Sequence, residues 1–362
     1  MGTVIVKVGT SSITDEHGHV VEETMAKLCS EVAELHKAGN RVVVVTSGAI
    51  AAGLPVLGLY PRPTDLALLQ AVAAVGQSRL MGHYERALEA VGIIGGQVLL
   101  APYDFMHRAQ YLHARETLRI LLDLGVVPVV NENDAVADDE IRFGYNDRLA
   151  ALVANLLQAD LLVLLTDAAG LFTADPRLDE QASLVEEVRE VDQVLALAGG
   201  AGTSRGSGGM ASKLAAAKIA AWSGVRVGIA SAERAHVLRD ALAGAPGGGT
   251  VVKPRIARLS ARKLWIAFAL APAGTVVVDA GAKEALMDKG VSLLPAGVRE
   301  VHGEFNPGDA VAVTGPDGEV FAKGLVRHTA KALSEWAGRR TSELPPEVPK
   351  EVVHRDDLVI LP

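Results

Sequence analysis

Six short segments hold the residue types on which phosphoryl and carboxylate chemistry could be built. Lys7-Val8-Gly9-Thr10-Ser11-Ser12 sets one lysine beside a glycine and three hydroxyl residues. Such a turn can offer backbone N–H groups to a phosphoryl group, although a tight strand-to-helix turn asks for the same small residues. Its spacing is neither a Walker A loop nor a G-x-G-x-x-G fingerprint. Thr46-Ser47-Gly48-Ala49-Ile50-Ala51-Ala52-Gly53 is again small, suited to a ligand approaching the backbone or to a helix N-cap at Ser47. Asn131-Glu132-Asn133-Asp134 places four polar side chains in succession; burying them unpaired is costly, so they face solvent or hold a polar ligand. Gly144-Tyr145-Asn146-Asp147 opens a helical pattern, with Asp147 able to serve as a capping carboxylate. Thr166-Asp167 ends an apolar run, and Gly206-Ser207-Gly208-Gly209-Met210-Ala211-Ser212-Lys213 leads into a helix. A lysine in a first helical turn opposes the helix dipole, so Lys213 is better explained by a facing phosphate than by structure.

These segments matter because of what precedes them. Val4 to Val8, Val42 to Val45, Gln97 to Leu100, Val126 to Val130, Leu161 to Leu165 and Arg226 to Ala230 are short aliphatic runs of the kind found in strands buried on both faces. Between them lie helical periodicities over Glu22 to Ala38, Ala67 to Ala90, Leu112 to Leu124, Asp147 to Ala159 and Met210 to Ser223. The alternation predicts an α/β fold, a mostly parallel sheet sandwiched by helices. In such a sheet ligands bind beyond the carboxyl ends of the strands, which is where the polar segments fall.

At 362 residues the chain is longer than one typical domain, and its texture changes after Ala232. A Gly/Pro cluster at Gly244 to Gly249 precedes Lys253, Arg255, Arg258, Arg262 and Lys263, which have no acidic residue among them. Beyond it, Thr275 to Val278, Ala310 to Thr314, Glu319 to Leu325 and a stretch near Leu358 read as short strands. The expected division is 1–250, a linker over 251–272, and a small, mainly β domain over 273–362.

Composition removes several classes. The 35 basic and 43 acidic residues leave a net charge of −8, which repels nucleic acid at long range. One cysteine, Cys29, in a helical stretch, excludes an internal disulfide and a multi-cysteine metal site and fits a reducing compartment. The start lacks a signal-peptide pattern, and apolar runs such as Leu161 to Leu165 are far below the roughly 20 residues a membrane helix needs. A soluble cytoplasmic protein with no membrane association is expected.

Taken in order, Lys7 to Ser11, Val45 to Gly53, Asn131 to Ala137, Leu165 to Asp167 and Gly208-Gly209-Met210 with Lys213 resemble the amino acid kinase family, over nearly the whole chain. The region from about Ala273 resembles the PUA module, a small β-barrel. The resemblance implies an ATP-dependent kinase that moves the γ-phosphoryl group to the γ-carboxylate of L-glutamate, the first step of proline biosynthesis, with Mg2+ accompanying ATP. It assigns Lys7 and Lys213 to charge stabilisation and Asp147 to holding the two lysines in place, with no protein metal ligands named. It places Ser47, Asp134 and Asn146 at the substrate, and Lys7, Gly9, Thr166, Asp167, Ser207, Gly208, Gly209, Met210, Ala211, Ser212 and Lys213 at the nucleotide. It further implies a homo-oligomer and proline as a feedback inhibitor. One position departs from the family: Tyr145 stands where an aspartate is usual, which leaves Asp134 as the carboxylate for the substrate ammonium.

The competing readings are a related kinase acting on N-acetylglutamate, carbamate or aspartate, and an RNA-binding protein working through the C-terminal module. Residues 271–362 contain 10 basic and 14 acidic residues, the wrong balance for an RNA surface. A NAD-dependent dehydrogenase lacks its glycine pattern.

Overall fold

The computed structural model describes residues 2–101, 104–105, 107–136, 145–176, 178–194, 209–245, 247–255 and 259–361. The chain forms two compact units, Met1–Arg258 and Leu259–Pro362.

The first unit is built on β1 (Thr3–Lys7), β2 (Arg41–Val45), β3 (Gly95–Leu100), β4 (Val127–Glu132), β5 (Leu161–Thr166), β6 (Glu187–Val188), β7 (Arg226–Ser231) and β8 (Thr250–Val252). They make one sheet in the order β3-β4-β2-β1-β5-β7-β8-β6, parallel throughout except where β7 meets β8. Every residue of β4 and β5 is buried. This is why those runs carry no polar alternation: helices cover both faces. Helix Glu22–Lys37 turns Met25, Leu28, Cys29, Val32 and Leu35 into this core, so Cys29 is a core residue, its thiol pushed up to about 12 by burial. No helix of the described residues is long and apolar enough to cross a membrane.

Helices Ala49–Leu57 and Leu66–Ala90 pack at a point where neither tolerates a side chain. A Cβ on Gly76 would lie 1.8 Å from the carbonyl oxygen of Ala49, and one on Gly53 would lie 2.1 Å from that of Val72. The smallness of Gly53 therefore serves helix contact, not the ligand approach expected from sequence.

The second unit contains β9 (Gly274–Val278), β10 (Val298–Gly303), β11 (Ala310–Thr314), β12 (Val320–Val326) and β13 (Val353–Ile360), in the order β10-β9-β11-β12-β13. Only β9 and β11 run parallel; the other neighbours are antiparallel. Helix Ala280–Lys289 starts at Asp279, whose carboxylate accepts from the Ala282 N–H at 2.8 Å. Val276, Leu286, Phe305, Phe321 and Leu333 form its core. The segment expected as a linker, 251–272, holds regular structure. Val251 and Val252 belong to β8, and Ala261–Leu264 runs into the π-helical turn Trp265–Ala269. There the buried Lys323 of β12 donates to the carbonyls of Ala267 and Leu270.

Candidate active site

β1 lies at the middle of the large sheet, where the order departs in two directions, to β2 and β4 on one side and to β5 and β7 on the other. Crevices form at such switch points. The register aligns the strand ends there. Lys7 pairs with Val45 and with Leu164, Val45 pairs with Val130, and Thr166 pairs with Ser231. Consequently Ser47, and Asn131 to Asp134 at and beyond the end of β4, lie on one side of Lys7, while Thr166 and Asp167, at and beyond the end of β5, lie on the other.

Asp147 is the focus of the charges. It occupies the first turn of helix Tyr145–Leu156 and is 0% exposed. Lys7 Nζ lies 2.7 Å from its Oδ1, Lys213 Nζ lies 3.5 Å from its Oδ2, and Ser212 Oγ donates to Oδ2 at 2.6 Å. Burial works to raise the Asp147 pKa. The charges of Lys7 and Lys213, with hydrogen bonds from Lys7 and Ser212, outweigh burial and hold it below the usual carboxylate range. Burial depresses Lys213, the neighbouring Lys7 adds to that, and Asp147 with Asp167 pulls the other way. Capping alone does not account for Asp147, because its carboxylate is committed to two cations and a hydroxyl from helix Met210–Trp222. A buried carboxylate between two lysines fixes two ammonium groups at one place, a arrangement suited to an anion with several oxygens.

On the other side of Lys7, Ser47 is half-buried and does not cap the next helix. The N-cap of Ala49–Leu57 is Gly48, at φ 109, with no side-chain cap. That corrects the capping reading of Ser47 and leaves its hydroxyl outside the helix's hydrogen bonding. Thr46, the residue before it, is buried, and Tyr84 donates from its buried hydroxyl to Thr46 Oγ1 at 2.8 Å. Asn131 and Glu132 are buried; Asn131 Nδ2 donates to Gln77 Oε1 at 2.8 Å, and the Glu132 N–H donates to Asn146 Oδ1 at 3.3 Å. Asn146 is thereby tied to the end of β4. Asp134 is half-buried, its carboxyl pushed up to about 6 by burial against the opposing charge of Arg62.

The residues expected at the nucleotide divide. Thr166 is buried, donating to Asp167 Oδ1 at 3.0 Å, and Asp167 is exposed. Gly209 caps helix Met210–Trp222, and its carbonyl accepts from Ser212 Oγ at 2.9 Å. Met210 and Ala211 form the first turn of that helix. Ser207, Gly208 and Gly144 lie outside the described residues, as does the side chain of Tyr145. Gly9 has φ −83, and an added Cβ would meet Lys7 Nζ at an ordinary 3.7 Å, so neither backbone strain nor crowding demands glycine there. Among the described residues no three His, Cys, Asp or Glu side chains gather to cage a metal. Asp167 presents an exposed carboxylate electrostatically coupled to Lys213, an oxygen group of the type that hard divalent cations take.

Sequence reasoning did not single out Gln77, Thr46 or Tyr84 as supports. Their bonds span 54 and 38 residues, and no local pattern announces them.

The amino acid kinase family profile matches residues 2–231, and the PUA domain profile matches residues 274–346. A protein named glutamate 5-kinase from Bifidobacterium longum (strain DJO10A) is 46% identical, across 99% of this chain and 96% of its own. One of the same name from Gloeobacter violaceus is 46% identical across 100% of both chains, and one from Geobacter sp. (strain M21) 45% identical across 99% and 97%. Among solved structures, carbamate kinase from Giardia lamblia bound to AMP-PNP superposes with a TM-score of 0.51 at 19% identity, covering 70% of this chain and 99% of that one. Isopentenyl phosphate kinase does so with a TM-score of 0.51 at 21% identity, covering 69% and 100%. These two show a shared fold.

Proposed function

The chain belongs to the amino acid kinase family, and from that premise we propose that it transfers the γ-phosphoryl group of ATP to the γ-carboxylate of L-glutamate. The observation that carries the reading is the buried carboxylate of Asp147 holding Lys7 and Lys213 from two separate elements, in a chain alignable end to end with relatives named for glutamate phosphorylation. The reaction forms L-glutamyl 5-phosphate, which feeds proline biosynthesis.

The chemistry follows from the geometry. The attacking carboxylate has no proton to lose, so no general base is required. What the reaction needs is two anions brought together and the charge of the migrating phosphoryl group stabilised. Lys7, at the switch point between the two halves, and Lys213 supply that positive charge. Asp147 keeps both ammonium groups in place. Ser47 and Asn146 orient glutamate, and Asp134 pairs with its ammonium, which drives Asp134 toward its ionised form as substrate binds. Thr166, Asp167 and residues 207–213 hold the nucleotide. Mg2+ carried by ATP would neutralise phosphate charge, and the exposed carboxylate of Asp167 would help hold it.

We further assign the protein to the cytoplasm as a homo-oligomer subject to inhibition by proline. The N-acetylglutamate and RNA-binding alternatives are not favoured: relatives at 45–46% identity along the whole chain carry the name glutamate 5-kinase, and residues 271–362 have an acidic excess. The test is hydroxylamine trapping. Incubated with ATP, Mg2+ and hydroxylamine, the protein should yield a coloured hydroxamate from glutamate, and little from N-acetylglutamate or aspartate. Equal or faster reaction with N-acetylglutamate refutes the substrate assignment, since an acetylated nitrogen would leave the Asp134 charge unpaired.

A further inference from the structure

Helix Glu22–Lys37 carries Lys27 and Glu31 one turn apart, and together they grip the backbone that follows β7. Lys27 Nζ lies 2.9 Å from Glu31 Oε1 and donates to the carbonyl oxygens of Ala232 at 2.9 Å and Arg234 at 2.8 Å. Glu31, 7% exposed, accepts from the His236 N–H at 3.1 Å and the Leu238 N–H at 3.0 Å. It thus supplies from another helix the cap that Val237–Ala243 lacks. The N-cap of that helix, His236, makes no side-chain cap and sits at φ 57, a left-handed conformation that costs a non-glycine residue of order 1–3 kcal/mol. One ion pair therefore holds four backbone groups between Ala232 and Leu238 and sustains a strained residue among them.

The location gives the grip its meaning. The Ala232 N–H donates to the Thr166 carbonyl at 2.8 Å, directly after the register pair Thr166 and Ser231. The clamped stretch is the backbone next to the residues read as nucleotide-binding, on the ligand side of the sheet. Packing alone is a poor reason for the pair. Burying a carboxylate costs more than filling the same volume with an aliphatic side chain, whereas shaping a loop beside a ligand calls for directional bonds.

We propose that Lys27 and Glu31 are positioning residues for the nucleotide, holding the chain from Ala232 to His236 in the one shape that forms a wall beside Thr166. They set the affinity for ATP without touching it. The inference rests on the reading of Thr166 and Asp167 as nucleotide positions.

Lys27→Met is the test, because the Lys27 side chain is 34% exposed and its apolar stem can be replaced without opening the core. It should raise KM for ATP roughly tenfold, about 1.4 kcal/mol, and weaken ATP binding measured without glutamate by the same factor. The values of kcat and of KM for glutamate should stay within about twofold. Lys27→Arg should restore the ATP affinity. A merely structural role would lower the melting temperature and the active fraction while leaving KM for ATP unchanged, and that result overturns the proposal. Should Lys27→Met not fold, Lys27→Gln keeps one donor and should show an intermediate KM; a wild-type KM there is equally fatal. Failure of the unmodified protein to phosphorylate glutamate would count against the substrate reading instead, and direct ATP binding by the variants would still decide this one.

Discussion

Replacing Asp147 by asparagine keeps the shape of the side chain and one oxygen acceptor while deleting the charge that faces Lys7 at 2.7 Å and Lys213 at 3.5 Å. Since Asp147 is 0% exposed, water cannot substitute for it. Removing one partner from a buried ion pair costs about 3–5 kcal/mol, and here two ammonium groups lose the same partner. Part of that cost appears as lost stability and part as displacement of the lysines, where about 1 Å of misplacement costs on the order of 10²-fold in rate. The expected result is a fall in kcat of about 10²–10³-fold with KM for both substrates within about threefold, the signature of interactions made in the transition state. Lys213→Ala should behave alike, and the double variant should be no worse than additive. A second readout comes from pH. Burial already depresses Lys213 and Asp147 opposes that depression, so in Asp147→Asn the Lys213 pKa falls further. In the proposed role Lys213 acts in its charged form, so activity should be lost as pH rises through its pKa. The alkaline limb of the kcat profile should therefore move to lower pH. The measurement is steady-state hydroxamate kinetics with Mg2+ saturating and folding checked by circular dichroism. A folded Asp147→Asn enzyme with near-normal kcat and an unmoved alkaline limb would refute the reasoning and return Asp147 to a structural role.

Asp134 should make glutamate binding pH-dependent. Its carboxyl is pushed up to about 6 by burial, so below that pH the free protein loses the charge that pairs with the substrate ammonium. KM for glutamate should climb as pH falls through about 6, and Asp134→Asn should have a raised KM with no such limb; a flat KM in the wild type contradicts the assignment. The same shift has a stability sign: a carboxyl whose folded pKa is above its unfolded one loses folded-state stability as pH rises from 3.8 toward about 6, and Asp134→Asn should flatten that part of a denaturation profile. A fragment ending at Arg258 should fold and retain glutamate phosphorylation, because every candidate residue precedes that boundary. Complete inactivity of a soluble, folded fragment would place the second unit in the catalytic machinery.

The large sheet was legible because strands buried on both faces leave a continuous aliphatic signature, and β1, β2, β4, β5 and β7 fall where those runs are. The two-residue β6 and three-residue β8 are too short to leave such a trace, and β10 is mostly exposed, which is why all three are absent from the sequence reading. The polar segments at strand ends were legible as candidates. Their roles were not, since Asp147 as cap and Asp147 as lysine clamp look alike until Lys7, 140 positions earlier, and Lys213, 66 positions later, are seen beside it. The cap alternative at Ser47, displaced by Gly48, and the ligand-approach reading of Gly53 failed because small residues have several possible causes. A glycine can be required by its own φ, as at Gly48, or by a neighbouring helix, as at Gly53, and composition does not say which. The Lys27 and Glu31 grip on residues 232–238 was hidden in an ordinary i,i+4 pair until the fold supplied its distant partners.

The central position of β1 has a consequence for how the chain is made. Its neighbours are β2, which begins at Arg41, and β5, which begins at Leu161. During synthesis at about 5–20 residues per second, β1 through β4 can pair while β5 is still unmade, and β1 then stands as an open edge for several seconds. That edge is Thr3–Lys7, whose Val4, Ile5 and Val6 are among the most deeply buried residues of the finished protein. Open aliphatic edges recruit other chains, and a charge at the strand end is a common guard against it. Lys7 stands at that end, so before Asp147 and Lys213 are in place the same lysine serves as the gatekeeper of a half-built sheet.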